Sequence, residues 1–135
     1  MKKKIIVCGS IGYGGIDKLM DLRDFLIENQ FLVIDHISEE DMDYSDVNDF
    51  REKRKLSEKI VKHDLEFIDK ADILVVITEK PSFGTAIEMH YAFEKNKIVI
   101  LYSENPIPTP WPIHFSNLIV KSKKELIETL KLLEK

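Results

Sequence analysis

Cysteine occurs once in this chain, which excludes an internal disulfide and suits a reducing compartment, so the expected location is cytoplasmic. Long apolar runs are missing too. The most apolar stretch, Ala71 to Ile77, is broken by Asp72 and falls far short of the roughly 20 residues a membrane helix needs. No membrane partner is expected. Nor is positive charge in excess: 20 Lys and Arg stand against 24 Asp and Glu, a net charge of -4. Nothing global therefore attracts a nucleic acid polymer or an anionic lipid surface, and any phosphate must be gripped by a local site. A small anionic metabolite fits that balance better than a polymer. Metal-ligand spacing is absent as well, because His36, His63, His90 and His114 form no zinc-binding pattern with one another or with Cys8. Neither a metal nor another cofactor is expected.

What is present is a chain of 135 residues, 44% hydrophobic and 33% charged, near the usual size for one core. Residues 1–135 are expected to form a single domain, with no internal repeat or linker. The opening MKKKIIVC is charged like a secretory signal, but three apolar residues between Lys4 and Cys8 are too few against about 7 to 15 in a signal's apolar region. It reads as a first strand. Short β-branched runs then alternate with longer amphipathic ones, the pattern of parallel strands joined by crossover helices. Strands are predicted over Lys4 to Cys8, Phe31 to Ile34, Ile73 to Ile77, Ile98 to Tyr102 and Leu118 to Val120. Helices are predicted near Ile16 to Asn29, Phe50 to Lys70, Thr85 to Lys95 and Ser122 to Leu133, the last opened by a Ser122 and Glu125 capping box. The first and third strands are the most uniformly apolar and belong at the centre. The expected fold is therefore α/β, a flavodoxin-like three-layer sandwich with a five-stranded parallel sheet in the order 2-1-3-4-5. Such sheets bind ligands beyond the carboxyl ends of their central strands, here the loops after Cys8 and Ile77.

Two segments break the alternation. Ser38 to Lys55 carries six acidic residues up to Asp49 and then Arg51, Lys53, Arg54 and Lys55, which reads as a solvated loop and helix start or as a flap over the site. Ser103 to Pro112 holds four of the five prolines and the only tryptophan, and an extended loop is expected there. Trp111 either caps the edge of the core or stacks on a ligand or a second subunit.

The first strand runs into Gly9, Ser10, Ile11, Gly12, Tyr13, Gly14 and Gly15. Glycines in such a turn either permit a tight strand-to-helix passage or let backbone N–H groups approach an anion. Neither the dinucleotide fingerprint nor a P-loop fits, although Asp35 lies where a dinucleotide fold would place its ribose-binding acid. The second loop, Thr78 to Gly84, leads to Glu88, which either completes a capping box with Thr85 or offers a nucleophilic carboxylate on a partly buried helix face. Asp64 stands inside the apolar stripe of the preceding helix, between Ile60 and Ile68. An aspartate there costs several kcal/mol unless it is paired, so it is either a satisfied packing residue or a functional acid. Asp72 reads as the start of a strand rather than a catalytic group. Two carboxylates converging on one strand-end cleft suit chemistry at an acetal-like carbon, one attacking and the other managing the proton of the leaving group.

Cys8-Gly9-Ser10-Ile11 followed by Gly14-Gly15, then His63-Asp64-Leu65 with Ala71-Asp72, then Pro81-Ser82-x-Gly84 and Glu88, resemble the nucleoside 2-deoxyribosyltransferase superfamily. The CGSI opening is most similar to its 2'-deoxynucleoside 5'-monophosphate N-glycosidases. The resemblance spans about Ile5 to Val120. It implies Glu88 as the nucleophile on C1' of the deoxyribose and Asp64 as the group that positions the sugar and assists proton transfer to the base. It also implies Ser10, Ser82 and Gly84 at the 5'-phosphate, with Gly9, Ile11, Gly14 and Gly15 completing the substrate turn. The implied product is free base plus 2-deoxyribose 5-phosphate; base exchange by a transferase is the alternative, and a sensor without chemistry a further one. The implied assembly is a homodimer with sites near the subunit interface. Two positions depart from the hydrolases: Gly12 stands where they often carry a phosphate-reaching arginine, and Ile6 where they often carry tyrosine.

Overall fold

A computed structural model describes residues 2–135. Five strands, β1 (Lys4–Cys8), β2 (Leu32–Val33), β3 (Ile73–Ile77), β4 (Ile98–Tyr102) and β5 (Leu118–Val120), form one sheet in the order β2-β1-β3-β4-β5. Every pairing is parallel, from Lys4 opposite Leu32 at one edge to Tyr102 opposite Val120 at the other. The expected flavodoxin-like order is thus the observed one. Its helices are α1 (Ile16–Glu28), α2 (Arg54–Lys70), α3 (Phe83–Glu94), α4 (Trp111–His114) and α5 (Lys123–Leu133).

Side-chain alternation along the strands divides the core between the two faces of the sheet. Ile5 and Val7 of β1, with Ile73 and Val75 of β3, meet Leu19, Leu22 and Leu26 of α1 and Leu126 and Leu130 of α5. The opposite set, Ile6, Cys8, Leu74 and Val76, meets Ile68 of α2 and Met89 and Ala92 of α3. All five residues of β3 are buried, which is why that run reads as continuously apolar and sits at the centre. The thiol of Cys8 is enclosed, and burial together with the charges of Glu88 and Asp64 pushes it well above the ordinary range. It behaves as a small core residue.

Helix starts differ from the sequence expectation at three places. Ser82, not Thr85, caps α3: its Oγ accepts the N–H of Thr85 at 3.3 Å. The helix therefore begins two residues before the expected Thr85, and Glu88 falls beyond the first turn, where it cannot close a capping box. α2 begins at Arg54 rather than Phe50, because Phe50 to Lys53 forms a turn closed by Lys53 N–H on Phe50 C=O at 2.9 Å. Trp111–His114 forms a short helix within the segment expected to be extended. Pro110 precedes it and Pro112 lies in its first turn, where a missing N–H breaks no helical hydrogen bond. At the last helix Ser122 Oγ does accept the N–H of Glu125 at 3.1 Å, while Glu125 reaches back to Lys121 N–H instead of the cap residue.

Candidate active site

The carboxyl ends of β1 and β3 lie side by side, with Cys8 opposite Val76, so the turns that follow them share one end of the sheet. Lys18 on α1 pairs with Glu79 after β3 and ties the two turns together. In the first turn, Gly14 has φ of +87°, a left-handed conformation that favours glycine. Gly15 is required for another reason: a Cβ there would stand 2.8 Å from the carbonyl oxygen of Ser10. Ser10 is buried beneath the turn, and its Oγ accepts the N–H of Tyr13 at 3.3 Å.

A cavity of about 90 Å³ opens above these strand ends. Gly9 and Ile11 from the first turn, Ser82 and Gly84 at the start of α3, Asp64 from α2 and Glu88 from α3 all line it. The structure thus brings together six of the nine residues singled out from the sequence. Ser10, Gly14 and Gly15 lie outside the lining and shape the turn from below and behind.

Asp64 is buried with Ile60 and Ile68 on the inner stripe of α2, and its Oδ1 lies 3.0 Å from Nδ1 of His63. Desolvation raises its pKa, and the His63 contact opposes that rise. Glu88 is half-buried, yet the surrounding protein desolvates its carboxylate and, with the Asp64 charge adding to the effect, pushes its pKa up to about 8. Two carboxyl groups in one desolvated pocket share protons as a pair. At neutral pH this pair holds a proton that two isolated surface carboxylates would have lost.

Tyr44 is a polar lining residue that the sequence did not single out. It comes from the acidic segment after β2, packs edge-on against Phe50 at 5.5 Å, and arches over both turns. Its ring would lie 3.4 Å from a Cβ on Gly12, and its hydroxyl 3.9 Å from a Cβ on Gly84. Burial, then the charges of Glu88 and Asp64, push the phenol up to about 12, so it remains an O–H donor. The available sequence signal was one aromatic residue inside a run of acids.

A second cavity, of about 340 Å³, lies on the other flank of the α3 start, between Ser82, Thr85, Met89, Trp111 and Phe115. Trp111 is 71% exposed and so does not cap the core edge. Thr85 lines both cavities, and its buried hydroxyl has no hydrogen-bond partner among the described residues. Asp72 accepts the N–H of Lys4 at 2.8 Å, as a strand-start residue would. Asp35 accepts the N–H groups of Ile37 and Ser38 and pairs with Arg23, so it builds a turn and is not free to hold a ribose. Among the described residues, no three His, Cys, Asp or Glu side chains gather as a metal ion would require.

Residues 14–129 match the sequence profile of the family described as nucleoside 2-deoxyribosyltransferase. The chain belongs to that family. Membership makes it an enzyme working on a small molecule. A search of curated proteins gave no match. Solved structures similar to this family member include the Clostridium botulinum CMP N-glycosidase BcmB, at 21% identity and a TM-score of 0.59, covering 97% of this chain and 99% of that one. A 2-deoxyribosyltransferase from Bacillus psychrosaccharolyticus shares 16% identity with a TM-score of 0.63, over 94% and 95% of the two chains. A conserved protein from Enterococcus faecalis V583 shares 12% with a TM-score of 0.66, over 98% and 99%. At these identities the likeness speaks for the fold. Within the family fold, no helix among the described residues is long and apolar enough to cross a membrane.

Proposed function

We propose that this protein hydrolyses the N-glycosidic bond of 2'-deoxyribonucleoside 5'-monophosphates, in the cytoplasm, releasing free base and 2-deoxyribose 5-phosphate. The observation that carries the reading is the convergence of Glu88 and Asp64 on one pocket beside the capped start of α3. A Glu88 oxygen attacks C1', and the C1'–N bond breaks with its electron pair passing to the base. Asp64 supplies the proton that the leaving nitrogen takes up. Water then attacks C1', frees Glu88 and returns a proton to Asp64, so the cycle closes without any other reactant. This requires the pair's shared proton to sit on Asp64 when Glu88 attacks.

The phosphate is assigned to Ser82 and Gly84 with the backbone of Gly9 and Ile11, while Ser10, Gly14 and Gly15 shape the turn that presents that backbone. A helix start favours an anion through its unpaired N–H groups and dipole. A side chain at Gly12 would meet the Tyr44 ring, and the Tyr44 hydroxyl, turned toward Gly84, supplies a neutral donor at the start of α3 in place of the arginine that related hydrolases often carry. Monophosphates are expected to show kcat/KM at least about tenfold above the matching nucleosides, in keeping with charge-assisted and helix-terminus contacts to the phosphate. Equal turnover of the two would remove the anion role from Ser82 and from the turn that Ser10 supports. Adding a second free base to the same assay separates hydrolysis from exchange: base released without an acceptor supports the hydrolase, while a new nucleotide formed only in its presence supports a transferase.

Val61 and Ile87, both exposed, line the pocket, and Phe83 at 80% exposure stands next to Ser82 at the start of α3, which leaves apolar side chains around the pocket mouth. Patches of this kind mark contact surfaces, and we assign this one to a second copy, which would cover the site from outside. Light scattering is expected to give about twice the 15.7 kDa chain mass, and a monomer at assay concentration would count against the assignment.

A further inference from the structure

Asp64 has a single side-chain hydrogen-bond partner among the described residues, the His63 ring. The other ring nitrogen of His63, Nε2, lies 2.6 Å from Glu39 Oε2. The ring also stacks on Phe67, with centroids 4.2 Å apart and planes 26° from parallel. Three contacts therefore fix one imidazole. The chain of groups runs from an exposed carboxylate on the loop after β2, through a mostly buried ring, to the pocket acid. His36, the other imidazole nearby, is buried and held neutral, its pKa lowered to about 4 chiefly by desolvation.

We propose that His63 is a positioning residue for Asp64, with Glu39 fixing the ring; the proposal rests on the N-glycosidase reading above. A carboxyl group on an aspartate turns easily about its last torsion, whose preferences are broad. Binding Oδ1 to His63 stops that rotation and leaves Oδ2 to face a substrate. The same contact has a second effect. Glu39 opens the loop that carries Tyr44, and Asp41 of that loop pairs with Lys59 on α2 at 2.9 Å. The tie that orients the acid is thus also one of two polar side-chain links, among the described residues, between the pocket roof and α2. Each carboxylate faces one ring nitrogen, so the two links can be removed separately by choice of side chain.

Asparagine places its amide nitrogen near the position of Nδ1, glutamine near that of Nε2, and phenylalanine keeps only the stack on Phe67. With a deoxynucleoside monophosphate as substrate, His63→Gln and His63→Phe are expected to lose about 10- to 100-fold in kcat, with KM within about twofold, because misplaced reacting groups cost rate rather than binding. His63→Asn is expected to retain kcat within about threefold, since it keeps the bond to Asp64. Equal kcat in the Asn and Gln variants overturns the proposal, and so does undiminished kcat in the Gln variant. If His63→Phe does not fold, the comparison of Asn with Gln decides alone. A parallel Glu88→Gln assay keeps the two ideas apart: full base release there sinks the glycosidase mechanism, and the proposal with it. An inactive Glu88→Gln beside a fully active His63→Gln sinks only the positioning role.

Discussion

Glu88→Gln is expected to lower kcat/KM for base release by at least about 10³-fold while leaving substrate binding measurable, because it removes the attacking oxygen and leaves the pocket's shape in place. The amide has nearly the same volume, and among the described residues Glu88 makes no side-chain hydrogen bond that the substitution would break. A residual rate within about tenfold of wild type would mean that C1' is attacked by water directly, with Asp64 as base. Trapping distinguishes the two further. Intact-mass measurement during slow turnover is expected to find a protein heavier by one deoxyribosyl phosphate, and the adduct is expected to vanish in Glu88→Gln. An adduct that persists in the variant would move the nucleophile to another residue.

The second large effect concerns stability and follows from the same carboxyl group. The folded protein raises Glu88 from the ordinary 4.5 to about 8, so the pair it forms with Asp64 keeps across that range one proton that an unfolded chain releases. Between those values the folded state binds more protons, so this contribution is fully present below about pH 4.5 and is lost as pH rises to about 8. His36 acts in the opposite sense: its folded pKa of about 4 lies below the ordinary 6.5, so its contribution is lost as pH falls from 6.5 to 4. The two slopes oppose each other below pH 6.5, and above it Glu88 acts without that offset. Wild-type unfolding free energy is therefore expected to fall by up to about 2 kcal/mol between pH 6.5 and 8, and Glu88→Gln is expected to abolish most of that fall. Urea denaturation at three or four pH values measures it. Parallel curves for wild type and variant would show that Glu88 titrates normally in the folded state. The expected variant, more stable at pH 8 and inactive, would be a trade of stability for chemistry at one residue.

The strands were legible because a parallel sheet covered on both faces leaves an apolar imprint in each central segment, and β3, Ile73–Ile77, is the clearest case. Asp64 was legible by contrast, a charge in the middle of the Ile60 and Ile68 stripe. The start of α3 was ambiguous since Ser82 and Thr85 are both competent caps, and only the backbone geometry selects Ser82. Prolines hid α4, because their first-turn tolerance looks in sequence like a helix break. Glu39 left no local signal, and Tyr44 only that of a lone aromatic residue among acids. Glu39 reaches His63 across 24 residues of chain, and Tyr44 acquires its position only when the segment after β2 folds back over the Gly9 to Gly15 turn.

β2 contributes only Leu32 and Val33 to the sheet, at its edge, and the chain then runs without helix or strand until Arg54. The pocket floor, at the ends of β1 and β3, is locked into the core, but its roof hangs from this sparsely paired stretch. Lengthening such a connection costs little, about 0.6 kcal/mol for each doubling of loop length. Insertions and exchanges between Ser38 and Lys53 can therefore accumulate without disturbing the sheet. Evolution has here a replaceable ceiling over a fixed pair of carboxylates, and a change of substrate range would be written first in that segment.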